Sequence, residues 1–211
     1  MTVISLTSIP PRFGGLGPVL ESLLTQGAEA VVLVLSRRYA RFPGPVSPPP
    51  LPAGVAVLWA EDIGPAGKLI PVQRAYPGDA IAYCDDDCLY ASGWLTALED
   101  MAATGRVVAA STFEVARLKR KGELVAQGFA GVLTPAGLSF DPPPEPCRMA
   151  DDLWFSAQME RQGLVIDTCP QARAKVFPQE APNGLQEQDR ATANAQAAAH
   201  IHKVLGVWPS T

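Results

Sequence analysis

Apolar residues fall along this chain in short blocks that alternate between two periods. Val3, Ile4 and Leu6 form a brief extended run. Leu16, Val19, Leu20, Leu23 and Leu24 then recur at helical spacing, with Gly27 as the stop signal. Ala30 to Leu35 is apolar without interruption and rich in valine, as a strand covered on both faces would be. Strand, helix and strand within 35 residues predict a βαβ unit at the N-terminus.

The same alternation continues downstream. Ser36 to Gly54 holds six prolines between Pro43 and Pro52 and reads as a loop. Val55 to Trp59 resumes a strand, Asp62 to Lys68 a polar turn, Leu69 to Tyr76 a helix, and Ala80 to Cys84 a buried strand. Ser92 predicts the N-cap of a helix through Met101, with Trp94, Leu95, Leu98 and Met101 on one face. Arg106 to Thr112 is a further strand, and Leu124 to Leu133 a strand or hairpin interrupted by Gly128 and Gly131. Asp151 or Asp152 opens a helix to about Gln162, Val165 to Asp167 is a short strand, and Gln186 to Leu205 is helix-prone. The pattern predicts an α/β fold with a mostly parallel central sheet flanked by helices. In such sheets ligands bind beyond the carboxyl ends of the strands. Four polar turns are expected there: Thr7 to Arg12, Asp62 to Lys68, Asp85 to Asp87, and the loop after Thr112.

Length and charge narrow the picture. A chain of 211 residues suffices for one well-buried domain, and 47% hydrophobic with 18% charged residues is an ordinary globular composition. The net charge of -4 argues against a nucleic-acid surface. No apolar run reaches the roughly 20 residues that span a bilayer. No basic segment precedes the first apolar run, so no signal peptide and a cytoplasmic location are expected. The four cysteines lack zinc-ligand spacing and read as small buried side chains.

The candidate chemistry centres on Asp85-Asp86-Asp87, three carboxylates at the end of an apolar strand. Like charges so placed repel unless a cation sits among them. In an extended chain Asp85 and Asp87 point one way and Asp86 the other, an Asp-x-Asp pair able to share a hard ion such as Mg²⁺ or Mn²⁺. Gly64-Pro-Ala-Gly-Lys68 resembles an anion-binding turn, although it lacks the spacing of a Walker loop. Asp151-Asp152 at a helix start offers one carboxylate to the helix dipole and a second as a general base. Gly128 and Gly131 suit either a tight turn or close approach of backbone to a ligand. The run Arg117, Lys119, Arg120, Lys121 reads as a solvated basic face. His200 and His202 face different ways on a helix, so at most one would serve as a ligand.

Taken together, Val3-Ile-Ser-Leu-Thr-Ser-Ile-Pro-Pro-Arg12-Phe, Gly64-Pro-Ala-Gly-Lys68-Leu, Asp85-Asp86-Asp87-Cys-Leu-Tyr90, Gly128-Phe-Ala-Gly131-Val-Leu and Ala150-Asp151-Asp152-Leu-Trp154 resemble a group of small bacterial glycosyltransferase-like proteins. These are similar to nucleotide-sugar-dependent enzymes of the GT-A type. The resemblance implies a single Rossmann-like GT-A domain over residues 1–211, with a nucleotide-binding half to about 90, an acceptor half over about 91–185 and a helical tail. It implies that Asp85 and Asp87 bind Mn²⁺ or Mg²⁺ and the diphosphate of a UDP- or GDP-sugar, with His202, or else His200, as a further metal ligand. It places Thr7, Arg12, Lys68 and Asp86 by the nucleotide, and Gly128, Gly131 and Trp154 by the sugar and the hydroxyl acceptor. Asp151 or Asp152 would be the catalytic base. Two other readings share these residues: a nucleotidyltransferase, and a nucleotide-sugar or metal-binding module without turnover.

Overall fold

The computed structural model describes residues 1–103, 106–180, 182 and 190–211. In chain order the regular elements are β1 (Thr2–Thr7), α1 (Leu16–Leu24), β2 (Ala30–Ser36), β3 (Val55–Ala60), α2 (Ile70–Ala75), β4 (Ala80–Tyr83), β5 (Cys88–Tyr90), α3 (Trp94–Glu99), β6 (Arg106–Ala109), β7 (Thr112–Glu114), β8 (Leu124–Ala126), β9 (Val132–Thr134), α4 (Asp151–Arg161), β10 (Val165–Thr168), α5 (Pro170–Arg173), β11 (Val176–Pro178) and α6 (Arg190–Leu205). Seven strands form the central sheet in the order β10-β6-β9-β4-β1-β2-β3. All run parallel except β9, which pairs antiparallel with β4 and β6. The chain is thus an α/β protein with a mostly parallel sheet flanked by helices.

Alternation along the strands explains the two cores. Val3 and Ile4, or Val32 and Leu33, point to opposite faces, because successive side chains on a strand do. One face packs against apolar residues of α2, α4 and α6, the other against those of α1, α3 and α5. Val31 through Leu35 is buried at every position, as its unbroken apolar run predicted. Gly27 ends the turn after α1 in the left-handed region, at φ +77.

Several expectations are corrected. Ser92 does not cap α3: Gly93 occupies the N-cap in the left-handed region, and Gln26 accepts the N–H groups of Trp94 (3.1 Å) and Leu95 (3.4 Å). That cap comes from 68 residues upstream, beyond the reach of a local signal. Met101 lies past the helix end and is 37% exposed. The predicted strand Arg106 to Thr112 is two strands, β6 in the central sheet and β7 in a separate ribbon with β8. Leu124 to Leu133 likewise divides, because a 3₁₀ turn over Gly128–Ala130 carries the chain from that ribbon into the central sheet as β9. The helix expected from Gln186 is seen from Arg190, and its first four expected residues lie outside the described residues. Among the described residues no helix is long and apolar enough to cross a membrane.

Candidate functional site

Strand order reverses direction between β1 and β4: β2 and β3 extend the sheet one way from β1, and β4 starts the other half. The loops leaving neighbouring strands separate at such a switch point and open a crevice. A cleft of about 1360 Å³ lies there, larger than the roughly 300–1,000 Å³ typical of a small-ligand pocket. Thr7, Arg12, Lys68, Asp85, Asp86, Asp87, Asp151 and Asp152 all line it. The turns after β1 and β4 and the turn before α2 therefore meet as the alternation of strands and helices predicted, and the start of α4 adds Asp151 and Asp152, which alternation did not place there.

The turn after β1 meets the turn after β4. Asp86 is buried, and accepts hydrogen bonds from Ser8 Oγ at 2.5 Å and Arg12 Nη1 at 2.5 Å. Arg12 Nη1 also lies 3.3 Å from Asp87 Oδ2, and its Nε donates to the carbonyl of Pro182 at 3.0 Å. Tyr39 braces this turn by donating to the Ser8 carbonyl at 2.8 Å. The triplet is a turn rather than a continued strand. Even so, its side chains divide as alternation predicted. Those of Asp85 and Asp87 are 34% and 29% exposed, and that of Asp86 only 5%.

Lys68 forms a second centre. Ser5 Oγ in β1 donates to its carbonyl at 2.5 Å, and the side chain is 3% exposed. Its Nζ donates to Asp85 Oδ1 at 2.6 Å and lies 2.9 Å from Asp151 Oδ2. The second contact is an ion pair off the hydrogen-bonding direction, so Asp151 Oδ2 has charge compensation without a hydrogen bond. Gly128 closes the cluster: its N–H donates to Asp152 Oδ1 at 2.9 Å. A Cβ on Gly128 would stand 2.5 Å from Lys68 Nζ and 3.1 Å from Asp152 Oδ1. The glycine permits close approach, here to two protein side chains.

Burial and charge set the protonation behaviour. Burial alone would lower the Lys68 pKa, but the carboxylates of Asp151, Asp85 and Asp152 outweigh it and hold the ammonium well above its ordinary range. Burial, with Asp151 nearby, pushes Asp152 up to about 7 against the pull of Lys68. Burial also raises Asp86 to about 6, although Arg12 and the Ser8 hydroxyl oppose the rise. Asp87 is raised by burial and by Asp85. Burial likewise raises the thiols, Cys88 to about 12 and Cys147 to about 11, and all four cysteines are buried, as expected.

Three expected site residues are not brought here. Gly131 does not line the cleft: it is at φ +101, and an added Cβ would lie 2.1 Å from Trp94 Cζ2, so it serves packing. Trp154 is 5% exposed in the core and donates from Nε1 to the Asp141 carbonyl at 2.7 Å. His202 is exposed, lies outside the cleft lining, and has Nδ1 2.9 Å from the Val207 carbonyl. The helical position of His202 faces the C-terminal segment instead of the acidic cluster. Among the described residues no group of three or more histidine, cysteine or carboxylate side chains converges to hold a metal ion.

Sequence reasoning gave no individual role to Ser8, Tyr39, Arg148, Phe113, Gln127 and Phe129, which all line the cleft. Ser8 lies inside the flagged turn Thr7 to Arg12, Phe113 in the loop expected after Thr112 and Phe129 between Gly128 and Gly131, and Asp62-x-Gly64 carries an Asx-turn signal: Asp62 accepts the Gly64 N–H at 3.0 Å and pairs with Arg148 at 3.1 Å. Arg117 and Lys119, expected on a solvated face, also line the cleft. Compared with known proteins, the chain matches no family model, and no curated protein matches it.

Proposed function

We propose that this cleft is the active site of a metal-dependent glycosyltransferase of the GT-A type, which moves a sugar from a nucleoside-diphosphate sugar to a hydroxyl acceptor. The observation that carries the reading is the meeting of Arg12 with Asp86 and Asp87 at the switch point, beside a large cleft. On this reading, residues from about 1–90 hold the nucleotide and those from about 91–185 the acceptor.

The carboxylates fit a hard divalent ion. Asp85 gives Oδ1 to Lys68 and Asp87 gives Oδ2 to Arg12, and both side chains remain partly exposed to the cleft. Mg²⁺ or Mn²⁺ commonly uses one or two carboxylates and completes its shell with phosphate oxygens and water. Asp85 and Asp87 would hold such an ion without His202. When bound, it supplies Lewis acidity toward the leaving diphosphate. Arg12 and Lys68 anchor the carboxylates in position, and their fixed positive charge lessens repulsion of an anionic donor.

Asp152 is the better of the two candidate bases. Asp151 is 4% exposed and its charge is committed to Lys68. Asp152 is half-buried at the cleft, held by the Gly128 N–H, with a pKa raised to about 7. A carboxylate with that pKa takes a proton from an acceptor hydroxyl near neutral pH more readily than an ordinary one.

Binding and hydrolysis of UDP- and GDP-sugars, with and without Mn²⁺, test the proposal in the parent and in Asp87→Ala. The expected result is Mn²⁺-dependent binding of one nucleotide sugar, lost in the variant, with slow release of free sugar. Release of pyrophosphate from a nucleoside triphosphate would move the assignment to a nucleotidyltransferase. Binding without turnover toward any acceptor would leave a binding module. Absence of nucleotide-sugar binding overturns the reading.

A further inference from the structure

We infer that the second substrate is anionic, bearing a phosphate or a carboxylate, and that Arg117 and Lys119 bind that group. This rests on the transferase reading for the word "second"; the anion site itself rests on geometry. Charge in the cleft is unevenly matched. The carboxylates at the strand ends have Lys68 and Arg12 among them, and Arg148 has Asp62. Arg117 and Lys119 line the same cleft and are exposed, and, as for Arg41 and Arg190 elsewhere in the lining, no carboxylate among the described residues lies in ion-pair range of either; unlike those two, they stand together on one wall. Two exposed cations on one wall of the cleft, with no ion-pair partner among the described residues, are a place for an anionic group to bind.

The basic run does not behave as one solvated face. Arg120 Nη1 donates to the Trp208 carbonyl at 3.2 Å, and the Lys121 N–H to the Pro209 carbonyl at 2.9 Å, away from the cleft. Arg117 stacks over Phe113, with the guanidinium carbon 5.3 Å from the ring centroid. Stacking covers one face of the guanidinium and leaves its N–H edge for a planar carboxylate or a phosphate.

The wall is also held still. Lys119 is in the left-handed region at φ 56, rare for a residue with a side chain, and its carbonyl accepts from Thr211 N–H at 3.4 Å and Oγ1 at 3.3 Å. Trp208 is fully buried beneath this loop and donates from Nε1 to Glu160 at 2.8 Å. A Cβ on Gly122 would lie 2.5 Å from the Trp208 ring. A loop whose backbone is already fixed adds no loop ordering to the cost of binding. The wall lies on the β6–β9 side of the switch point with Gln127 and Asp152, apart from Thr7 and Tyr39 on the β1–β2 side. It therefore faces the acceptor.

Calorimetric binding of glucose 6-phosphate, glucuronate and methyl glucoside to the full chain tests this, alongside UDP with Mn²⁺. The comparison is between the parent and Arg117→Ala/Lys119→Ala, whose exposed side chains can be removed without opening the core; circular dichroism checks the fold. At least one anionic sugar should bind about tenfold more tightly than methyl glucoside, and the double variant should lose that margin while UDP binding stays unchanged. Which anionic sugar binds tells a phosphate site from a carboxylate site. Equal binding of all three sugars overturns the inference. So does loss of UDP binding in the double variant, which would give the wall to the donor diphosphate. Anion-sugar binding without UDP binding in the parent keeps the anion site and removes the transferase reading.

Discussion

Arg12 and Asp86 meet across the gap between β1 and β4, with Nη1 2.5 Å from Oδ1 and side chains 13% and 5% exposed. The pair ties together the turns that leave the two strands where sheet order reverses. A buried ion pair is weak evidence for net stability, but losing one partner leaves a charge stranded in a poor solvent. Arg12→Met should therefore lower unfolding free energy by roughly 3–5 kcal/mol near neutral pH. Most of that loss should be recovered at about pH 5, where unpaired Asp86 takes a proton instead of remaining ionised. Urea unfolding at the two pH values checks both halves of the statement. A loss of the same size at both would mean that Arg12 acts through packing.

The raised carboxyls predict a pH dependence of the parent. Asp86 and Asp152 titrate at about 6 and about 7 in the folded protein, against 3.8 as the ordinary value. Between these values the native state binds more protons than the unfolded chain, so stability falls as pH rises. The contribution is fully present below the unfolded pKa and is lost between about pH 4 and about pH 7. Asp152→Asn keeps an oxygen for the Gly128 N–H and removes one titration, so its curve should be flatter over the upper part of that window. A curve parallel to the parent's would show that Asp152 titrates normally.

Gly131→Ala should act on stability and not on ligand affinity. The substitution places a side chain at φ +101 and drives its Cβ into the Trp94 ring, whose Nε1 donates to the Ala130 carbonyl at 2.9 Å. Backbone strain and overpacking of this kind each cost about 1–3 kcal/mol. Chemical denaturation should register the combined loss. Nucleotide-sugar affinity, measured below the transition, should stay at the parent's value.

Gly128→Ala should do the reverse. Its Cβ would stand 2.5 Å from Lys68 Nζ, so the ammonium must leave its place between Asp85 and Asp151. On the transferase reading proposed above, donor hydrolysis should fall by about tenfold or more, as expected when supporting charges at a site shift by about 1 Å. The stability cost should be smaller than for Gly131→Ala, because the clash is with the end of a side chain. Unchanged hydrolysis would separate Lys68 from the chemistry.

The valine run over Val31 to Leu35, the spacing of Leu16 to Leu23 and the short apolar blocks before Asp62 and Asp85 determine the alternation of elements, and through it the sheet. They also determine that Thr7, Arg12, Lys68 and the Asp triplet lie beyond strand ends. Local periodicity encodes these features because burial of one face or both is what each segment must satisfy. Tertiary structure alone decided which carboxylate meets which cation, since Arg12 and Asp86 are 74 residues apart. It alone put Gln26 at the start of α3, sent β9 antiparallel between β4 and β6, and gave Gly131 and Trp154 to the core. It alone stood Arg117 and Lys119 at the cleft wall. A glycine, a histidine or a lysine is written the same way whether packing, solvent or a ligand claims it, and only the neighbours supplied by distant chain settle which.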